Sequence, residues 1–345
     1  TGKKNRTTGM SRTSVETGVI GGGSWGSAFA LHLGRLGLKT QLWVREEDIL
    51  GGLRRERQNR IFLPHHVFSR RVSFSADLRA TARAADVLFI AVPSRFCRSV
   101  FSEIAPELSK SQVVVSLTKG IEEGSLKTMT ELMAEIFPPR SRPHLAVLSG
   151  PSFAREVAEK HPTAVVVASD SASCARTIQH LVSNIHFRAY ASRDVVGVEL
   201  AGAIKNVIAL ATGLSDSLDF GHNSRAALIT RGIAEMTRLG VKLGARMDTF
   251  LGLAGIGDLV LTCTAKLSRN YYVGYELGRG RSLDRILSRM KMVAEGVTTT
   301  VSVRDLARRE GIEMPISEEV YRILYERKSP RQSLRDLMLR SLKVE

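Results

Sequence analysis

Short β-branched runs alternate with helix-spaced apolar positions over the first ~190 residues, the pattern that parallel strand–helix–strand units leave in a sequence. The runs at 17–20, 40–44, 86–92, 112–117, 146–148 and 164–168 read as strands. Several end in a polar or glycine-bearing turn: Gly21 onward, Arg45, Pro93-Ser94, Thr118-Lys119-Gly120 and Ser149-Gly150-Pro151-Ser152. Open α/β sheets bind ligands at the carboxyl ends of their strands, so chemistry is expected at these turns.

From about Val195 the pattern changes. Segments 198–218, 226–239, 297–310 and 317–326 are rich in Ala, Leu, Ile and Gly at helical spacing, with no strand alternation. The fold class is therefore α/β over residues 15–194, followed by an all-α domain over 195–345. Residues 1–14 carry Lys3, Lys4, Arg6 and Arg12 and no acid, and read as a disordered basic tail in which Met10 is a candidate start. No internal repeat or low-complexity linker interrupts the two halves.

The chain has 345 residues, 43% of them hydrophobic and 24% charged, which suits two globular domains. No uninterrupted apolar run reaches the ~18–20 residues of a membrane span, so stable membrane insertion is not expected. The first apolar stretch follows a basic tail and does not have the form of a secretory leader. Cys97, Cys174 and Cys263 have no paired spacing, which fits a reducing compartment and argues against a disulfide framework or a metal site. The net charge is +16 and the pI about 10.2. Nucleic acid, steering of phosphorylated ligands and a merely basic surface each account for that charge. The basic residues are spread along the chain without a nucleic-acid motif, so nucleic acid is not expected as a partner.

Gly21, Gly23 and Gly26 fit G-x-G-x-x-G in Gly21-Gly22-Gly23-Ser24-Trp25-Gly26. A strand precedes them and an apolar helix, 28–36, follows, which is the context that a dinucleotide pyrophosphate requires. The first glycine makes the turn, the second admits the phosphates, and the third lets helix and strand pack. The next strand ends at Arg45. An arginine there either neutralises the 2′-phosphate of NADPH, or stacks on the adenine or faces solvent. NADPH is the expected cofactor, with NADH possible.

Four further places carry candidate chemistry. Lys119 at a strand end either reaches a carbonyl or phosphate, or is a solvated turn lysine. Gly150 and Ser152 open the segment after another strand and offer donors to an anionic oxygen. Lys205 lies in the almost wholly apolar segment 198–218, where a buried cation suits proton transfer and a snorkelling lysine is the alternative. Asp258 closes a glycine-rich run and is a candidate partner for Lys205. Ser268-Arg269-Asn270 combines an arginine fork with a hydroxyl and an amide, which suits a phosphate but also an exposed loop.

Taken in order, these motifs resemble the bacterial NAD(P)-dependent glycerol-3-phosphate dehydrogenases. The resemblance includes Leu42-Trp43-Val44-Arg45, Asn59-Arg60-Ile61-Phe62-Leu63-Pro64, Lys205-Asn206-Val207, Thr262-Cys263-Thr264 and Val293-Ala294-Glu295-Gly296-Val297. It spans nearly the whole chain from about residue 15. It implies an N-terminal Rossmann domain, a helical C-terminal domain, and interconversion of dihydroxyacetone phosphate and sn-glycerol 3-phosphate for glycerophospholipid synthesis. By resemblance Lys205 is the proton acceptor in oxidation, assisted by Lys119 and Asp258. Substrate contacts fall on Lys119, Gly150, Ser152, Lys205, Asp258, Ser268, Arg269 and Asn270. Besides the glycines, cofactor contacts fall on Ser24, Trp25, Arg45, Lys119, Ala154, Arg269, Val293 and Glu295. The resemblance also implies a cytoplasmic enzyme, often a homodimer, acting on a small phosphorylated substrate without a metal. Ser27, His65, Ala265 and Thr300 depart from the family's usual residues, His65 standing where glycine is frequent.

Two rivals remain at this level. A related dehydrogenase for an unphosphorylated hydroxy acid would not need Ser268-Arg269-Asn270. A non-catalytic NADPH sensor would have no use for Lys205 and Asp258.

Overall fold

A computed structural model describes residues 15–290 and 292–342. The expected disordered tail, 1–14, lies outside these residues. The strands are β1 (Glu16–Ile20), β2 (Lys39–Trp43), β3 (Gln58–Asn59), β4 (Leu63–Val67), β5 (Val72–Ser75), β6 (Val87–Ile90), β7 (Val113–Ser116), β8 (His144–Ser149), β9 (Thr163–Ala168) and β10 (Phe187–Ser192). Eight of them form one sheet in the order β10-β9-β8-β7-β6-β1-β2-β5, while β3 and β4 pair separately. The central strands β1 and β6 are buried almost end to end, because helices cover both faces. That is why β6 reads as an uninterrupted apolar run, and why β1 ends in Val19-Ile20 after a buried Thr17 and Gly18.

The sheet is not wholly parallel. β8 and β9 pair antiparallel, whereas β9 and β10 pair parallel. A parallel return needs a crossover long enough to span the sheet face. The segment between β8 and β9 holds only the five-residue helix Ala154–Ala158. The chain therefore turns back beside β8.

The second half is helical throughout. Its axis is the 23-residue helix Val195–Ser217, buried from Gly197 to Ser215. Asp194 caps it by accepting from the Gly197 amide at 2.9 Å. Helices Gly221–Lys242, Asp258–Thr264, Arg269–Gly278 and Glu295–Glu310 pack around it. By length and composition this helix reaches what a membrane span needs, with a mean hydropathy of 1.6, contrary to the expectation from uninterrupted runs. Here 89% of its most apolar stretch is buried inside the protein, so the apolarity serves the core. A π-helical turn, Leu253–Gly257, leads directly into Asp258. A Cβ on Gly255 would lie 2.1 Å from the Phe250 carbonyl oxygen, so the glycine run is what lets the backbone come this close.

Candidate active site

The glycine turn joins β1 to helix Ser24–Arg35. Gly21 has φ +124°, and a Cβ on Gly26 would fall 1.9 Å from the Gly21 carbonyl oxygen. Around Gly23 nothing lies within 4 Å of such a Cβ. Asn59, buried, braces the turn by donating to Gly22 O at 2.8 Å and to Ser27 Oγ at 2.9 Å. Ser24 Oγ meets Met292 Sδ at 2.9 Å, so a loop of the helical half touches the turn. Trp25 Nε1 is buried and has no hydrogen-bond partner. An orphaned donor beside an open glycine turn fits a dinucleotide, whose phosphates need N–H groups and close backbone approach.

A cleft of about 1060 Å³ runs from this turn to the helical half. Gly21, Gly23, Ser24, Trp25, Arg45 and Lys119 line it on the sheet side, with Ser152 and Ala154. Lys205, Asp258, Ser268, Arg269, Asn270, Val293 and Glu295 line it on the helical side. The structure thus brings nearly all the expected residues to one cavity. Gly26 works from behind the turn. Gly150 (φ +134°) contributes a carbonyl that accepts from Lys119 Nζ at 2.9 Å and from Ser152 Oγ at 2.9 Å.

At the inner wall one carboxylate serves two lysines. Lys205 Nζ donates to Asp258 Oδ1 at 2.7 Å, and Lys119 Nζ donates to Asp258 Oδ2 at 2.7 Å. Lys205 is 6% exposed and Asp258 1%. Burial pushes the Lys205 ammonium down to about 8; Asp258 opposes the shift and Lys119 adds to it. Burial alone would raise the Asp258 carboxyl, but the two ammonium groups outweigh it and hold it below its ordinary range. Lys205 also donates to Thr262 Oγ1 at 2.8 Å. An ammonium has three N–H donors, so one remains for a ligand.

The phosphate candidates divide. Arg269 projects into the cleft and is exposed there. Ser268 Oγ caps helix Arg269–Gly278 by accepting from the Tyr271 amide at 3.2 Å. Asn270 donates to Asn206 Oδ1 at 2.8 Å and accepts from the Gly296 amide at 2.9 Å. Asn206 in turn donates to Lys119 O and Gly202 O, both at 3.3 Å. Asn270 and Asn206 thus link the first turn of helix Glu295–Glu310 to the backbone of Lys119. Glu295 accepts from Ser94 N at 3.1 Å and from Ser94 Oγ at 2.6 Å, closing the start of helix Ser94–Ile104. Burial raises its carboxyl, while Ser94 holds it down.

At the far end of the cleft two arginines share one ring. The guanidinium carbon of Arg45 is 5.1 Å from the Phe96 ring centre, and that of Arg95 is 4.6 Å from it. Arg45 also donates to Glu46 Oε1 at 3.2 Å.

Sequence reasoning assigned no role to Thr262, Asn206, Asn59 or Ser94. Thr262 stands four residues after Asp258, one helical turn on, which was a usable signal. Ser94 and Glu295 are 201 residues apart, and nothing local links them.

Similarity to known proteins shows the family. The N-terminus and C-terminus of NAD-dependent glycerol-3-phosphate dehydrogenase match residues 16–175 and 194–335. The chain is 51% identical over 331 residues to the glycerol-3-phosphate dehydrogenase (NAD(P)+) of Syntrophotalea carbinolica, covering 96% of this chain and 99% of that one. It is 52% identical over 328 residues to the enzyme of the same name from Syntrophobacter fumaroxidans, covering 95% and 96%. The crystal structure of glycerol-3-phosphate dehydrogenase from Coxiella burnetii superposes with a TM-score of 0.90 at 38% identity, covering 94% of this chain and 99% of that one. A ketopantoate reductase from Ralstonia eutropha shares the fold alone, at 16% identity and a TM-score of 0.60. With both halves matched and bacterial relatives half identical over nearly their full length, the chain belongs to the NAD-dependent glycerol-3-phosphate dehydrogenase family.

Proposed function

We propose that the protein interconverts dihydroxyacetone phosphate and sn-glycerol 3-phosphate, with NADPH as the preferred reductant, supplying the backbone of glycerophospholipids. Residues 15–194 serve as the dinucleotide-binding unit and 195–345 as the helical, catalytic one. The observation that carries the reading is a buried Lys205–Asp258 pair, joined by the half-buried Lys119, facing the same cleft as Arg269.

Held at the glycine turn, the dinucleotide would supply the hydride that the substrate's ketone carbon accepts. Negative charge then develops on the carbonyl oxygen, where a fixed cation lowers the barrier. Lys205 delivers the proton from its Nζ, and in the oxidation direction the same Nζ accepts it. With its ammonium held at about 8, it is close enough to neutral pH to act both ways. Asp258 and Thr262 fix the Nζ by occupying two of its donors. Lys119, tied to the same carboxylate, adds positive potential beside the carbonyl. Arg269 clamps the phosphate, so binding energy remote from the reacting carbon aligns it. Trp25 and the open face of Gly23 receive the pyrophosphate side of the dinucleotide.

The cysteines are free and buried, which suits the reducing cytoplasm. Exposed Met247, Leu251, Ile256 and Val260 on the helical half give a homodimer an apolar surface to cover. Light scattering of the purified protein reads that state directly.

The decisive experiment follows NADPH and NADH absorbance with dihydroxyacetone phosphate and, in parallel, with unphosphorylated dihydroxyacetone. Oxidation of NADPH that requires the phosphate is expected. Equal catalytic efficiency with both nucleotides removes the cofactor preference, and equal rates with both ketones remove the phosphate clamp.

A further inference from the structure

The far end of the cleft holds two candidate cations for the adenosine half of the dinucleotide, and they are not equivalent. Arg45 lies two residues beyond the end of β2, where a Rossmann domain commonly reads the ribose. Its guanidinium leans on the Phe96 ring and is tied to Glu46. Arg95 stands in the first turn of helix Ser94–Ile104, which carries no acid in that turn. It is exposed and lines the same cavity. Among the described residues no carboxylate lies within ion-pair distance of it, whereas Arg45 has Glu46 at 3.2 Å.

The surrounding acids strengthen the distinction. Glu295 is buried with its oxygens bound to Ser94 N and Oγ, and Arg269 and then Arg95 add only a smaller lowering of its carboxyl. Glu103 lies eight residues further along the same helix, about 12 Å at ~1.5 Å per residue. Glu46 pairs with Arg45 through one oxygen at the surface. An unphosphorylated ribose asks for a carboxylate acceptor at this corner, and none is free close to Arg95. A phosphate dianion asks for a guanidinium fork that no carboxylate already holds, beside a positive helix end; Arg95 is one, although its guanidinium carbon also lies 4.6 Å from the Phe96 ring centre.

We propose that Arg95 is the residue that binds the 2′-phosphate of NADPH, while Arg45 and Phe96 flank the adenine. The assignment rests on the NADPH preference proposed above. It gives the two arginines separate jobs. Arg45 supplies a flat cation against a base, a contact that NADH and NADPH make equally. Arg95 supplies a charge that only the phosphorylated ribose can use. Because the Arg95 side chain is exposed, its replacement has little to disturb in the core.

The test is calorimetric titration with adenosine 2′,5′-bisphosphate and adenosine 5′-phosphate on the wild type, Arg95→Gln and Arg45→Gln. The wild type is expected to bind the bisphosphate at least tenfold more tightly. Arg95→Gln brings that ratio to within about twofold of unity and leaves the 5′-phosphate affinity nearly unchanged. Arg45→Gln weakens both nucleotides alike and keeps the ratio. In steady state, Arg95→Gln raises the KM for NADPH about tenfold and moves the KM for NADH less than twofold. If Arg95→Gln keeps the ratio while Arg45→Gln abolishes it, the assignment is overturned and the NADPH preference stands. If the wild type shows no advantage for the bisphosphate, the NADPH preference itself fails and the assignment with it.

Discussion

Asp258 accepts Lys205 at 2.7 Å with one oxygen while its other oxygen accepts Lys119 at the same distance. One carboxylate thus answers two ammonium groups in a buried wall. Replacing it by asparagine leaves the burial that depresses Lys205 and removes the charge that raises it, so the Lys205 pKa falls below about 8. Reduction needs the protonated lysine, so its rate is lost as pH rises through that pKa. In Asp258→Asn this loss begins at lower pH, and the onset of oxidation moves down with it. The unpaired buried charge also costs about 3–5 kcal/mol of stability. Limbs of the pH–rate profile that stay in place would contradict the assignment.

Lys205→Ala removes the proposed proton carrier. Turnover is expected to fall by about 10²–10⁴-fold. Cofactor affinity, read by fluorescence titration, should be little changed, because Lys205 belongs to the substrate side of the cleft. A turnover number within tenfold of the wild type is incompatible with its role.

Arg269→Ala removes the exposed guanidinium in the cleft. Charged hydrogen bonds contribute about 1.5–3 kcal/mol each, so the KM for dihydroxyacetone phosphate should rise by about 10–100-fold. The slow reaction with dihydroxyacetone should be unaffected. Parallel losses on both ketones would show that Arg269 acts on the carbonyl end instead.

Two glycines of the turn are expected to fail differently. A methyl at Gly26 meets the Gly21 carbonyl oxygen at 1.9 Å, so Gly26→Ala should lower the Tm sharply or prevent folding. A methyl at Gly23 meets nothing. Gly23→Ala should melt like the wild type and still bind the dinucleotide poorly, since the methyl fills the space the pyrophosphate needs. A Gly23→Ala protein with normal cofactor affinity would place the phosphates elsewhere.

Glu199 sits on the same helix as Lys205 and accepts from the amide and hydroxyl of Thr130, with burial pushing its carboxyl up to about 7. A carboxyl raised on folding contributes stability that is full below the unfolded carboxylate range and is lost as pH rises through about 7. Glutamine at this position does not titrate. The Tm advantage of the wild type over Glu199→Gln should therefore be larger at pH 6 than at pH 8, with a slope of at most ~1.4 kcal/mol per pH unit. A pH-independent difference would mean that Glu199 is not titrating in this window.

The fold was legible where burial was two-sided. β6 is an apolar run, and β7 is one up to Ser116, because the sheet centre is covered on both faces. The edge strands β5 and β10 were missed, since β10 alternates buried and exposed residues over only six positions. β4, with Pro64 and His65, has little of a strand's composition. The reversal between β8 and β9 had no local mark beyond the short segment that joins them. His65, noted where glycine is frequent, adopts φ +69°, which explains why glycine suits that place.

The site was legible wherever a charge stood in an apolar setting, as with Lys205, or beside glycines, as with Asp258. Its supporting bonds were not. Ser268 and Asn270 were expected to meet the substrate, and both line the cleft. In the structure the Ser268 hydroxyl caps a helix and the Asn270 amide bonds to Asn206 and Gly296. Such commitments depend on residues brought together from distant parts of the chain, and no spacing rule reports them.

Lys119 reaches Asp258 from the sheet half, while Lys205 reaches it from the helical half. Swinging the halves apart would strip a buried carboxylate of one of its cations and a lysine of its counter-charge. The hinge that closes many two-domain enzymes is therefore bolted at its inner end. The halves also meet at the glycine turn, where the Ser24–Met292 contact joins a half-buried hydroxyl to an exposed thioether and costs far less to break than the buried ion pair.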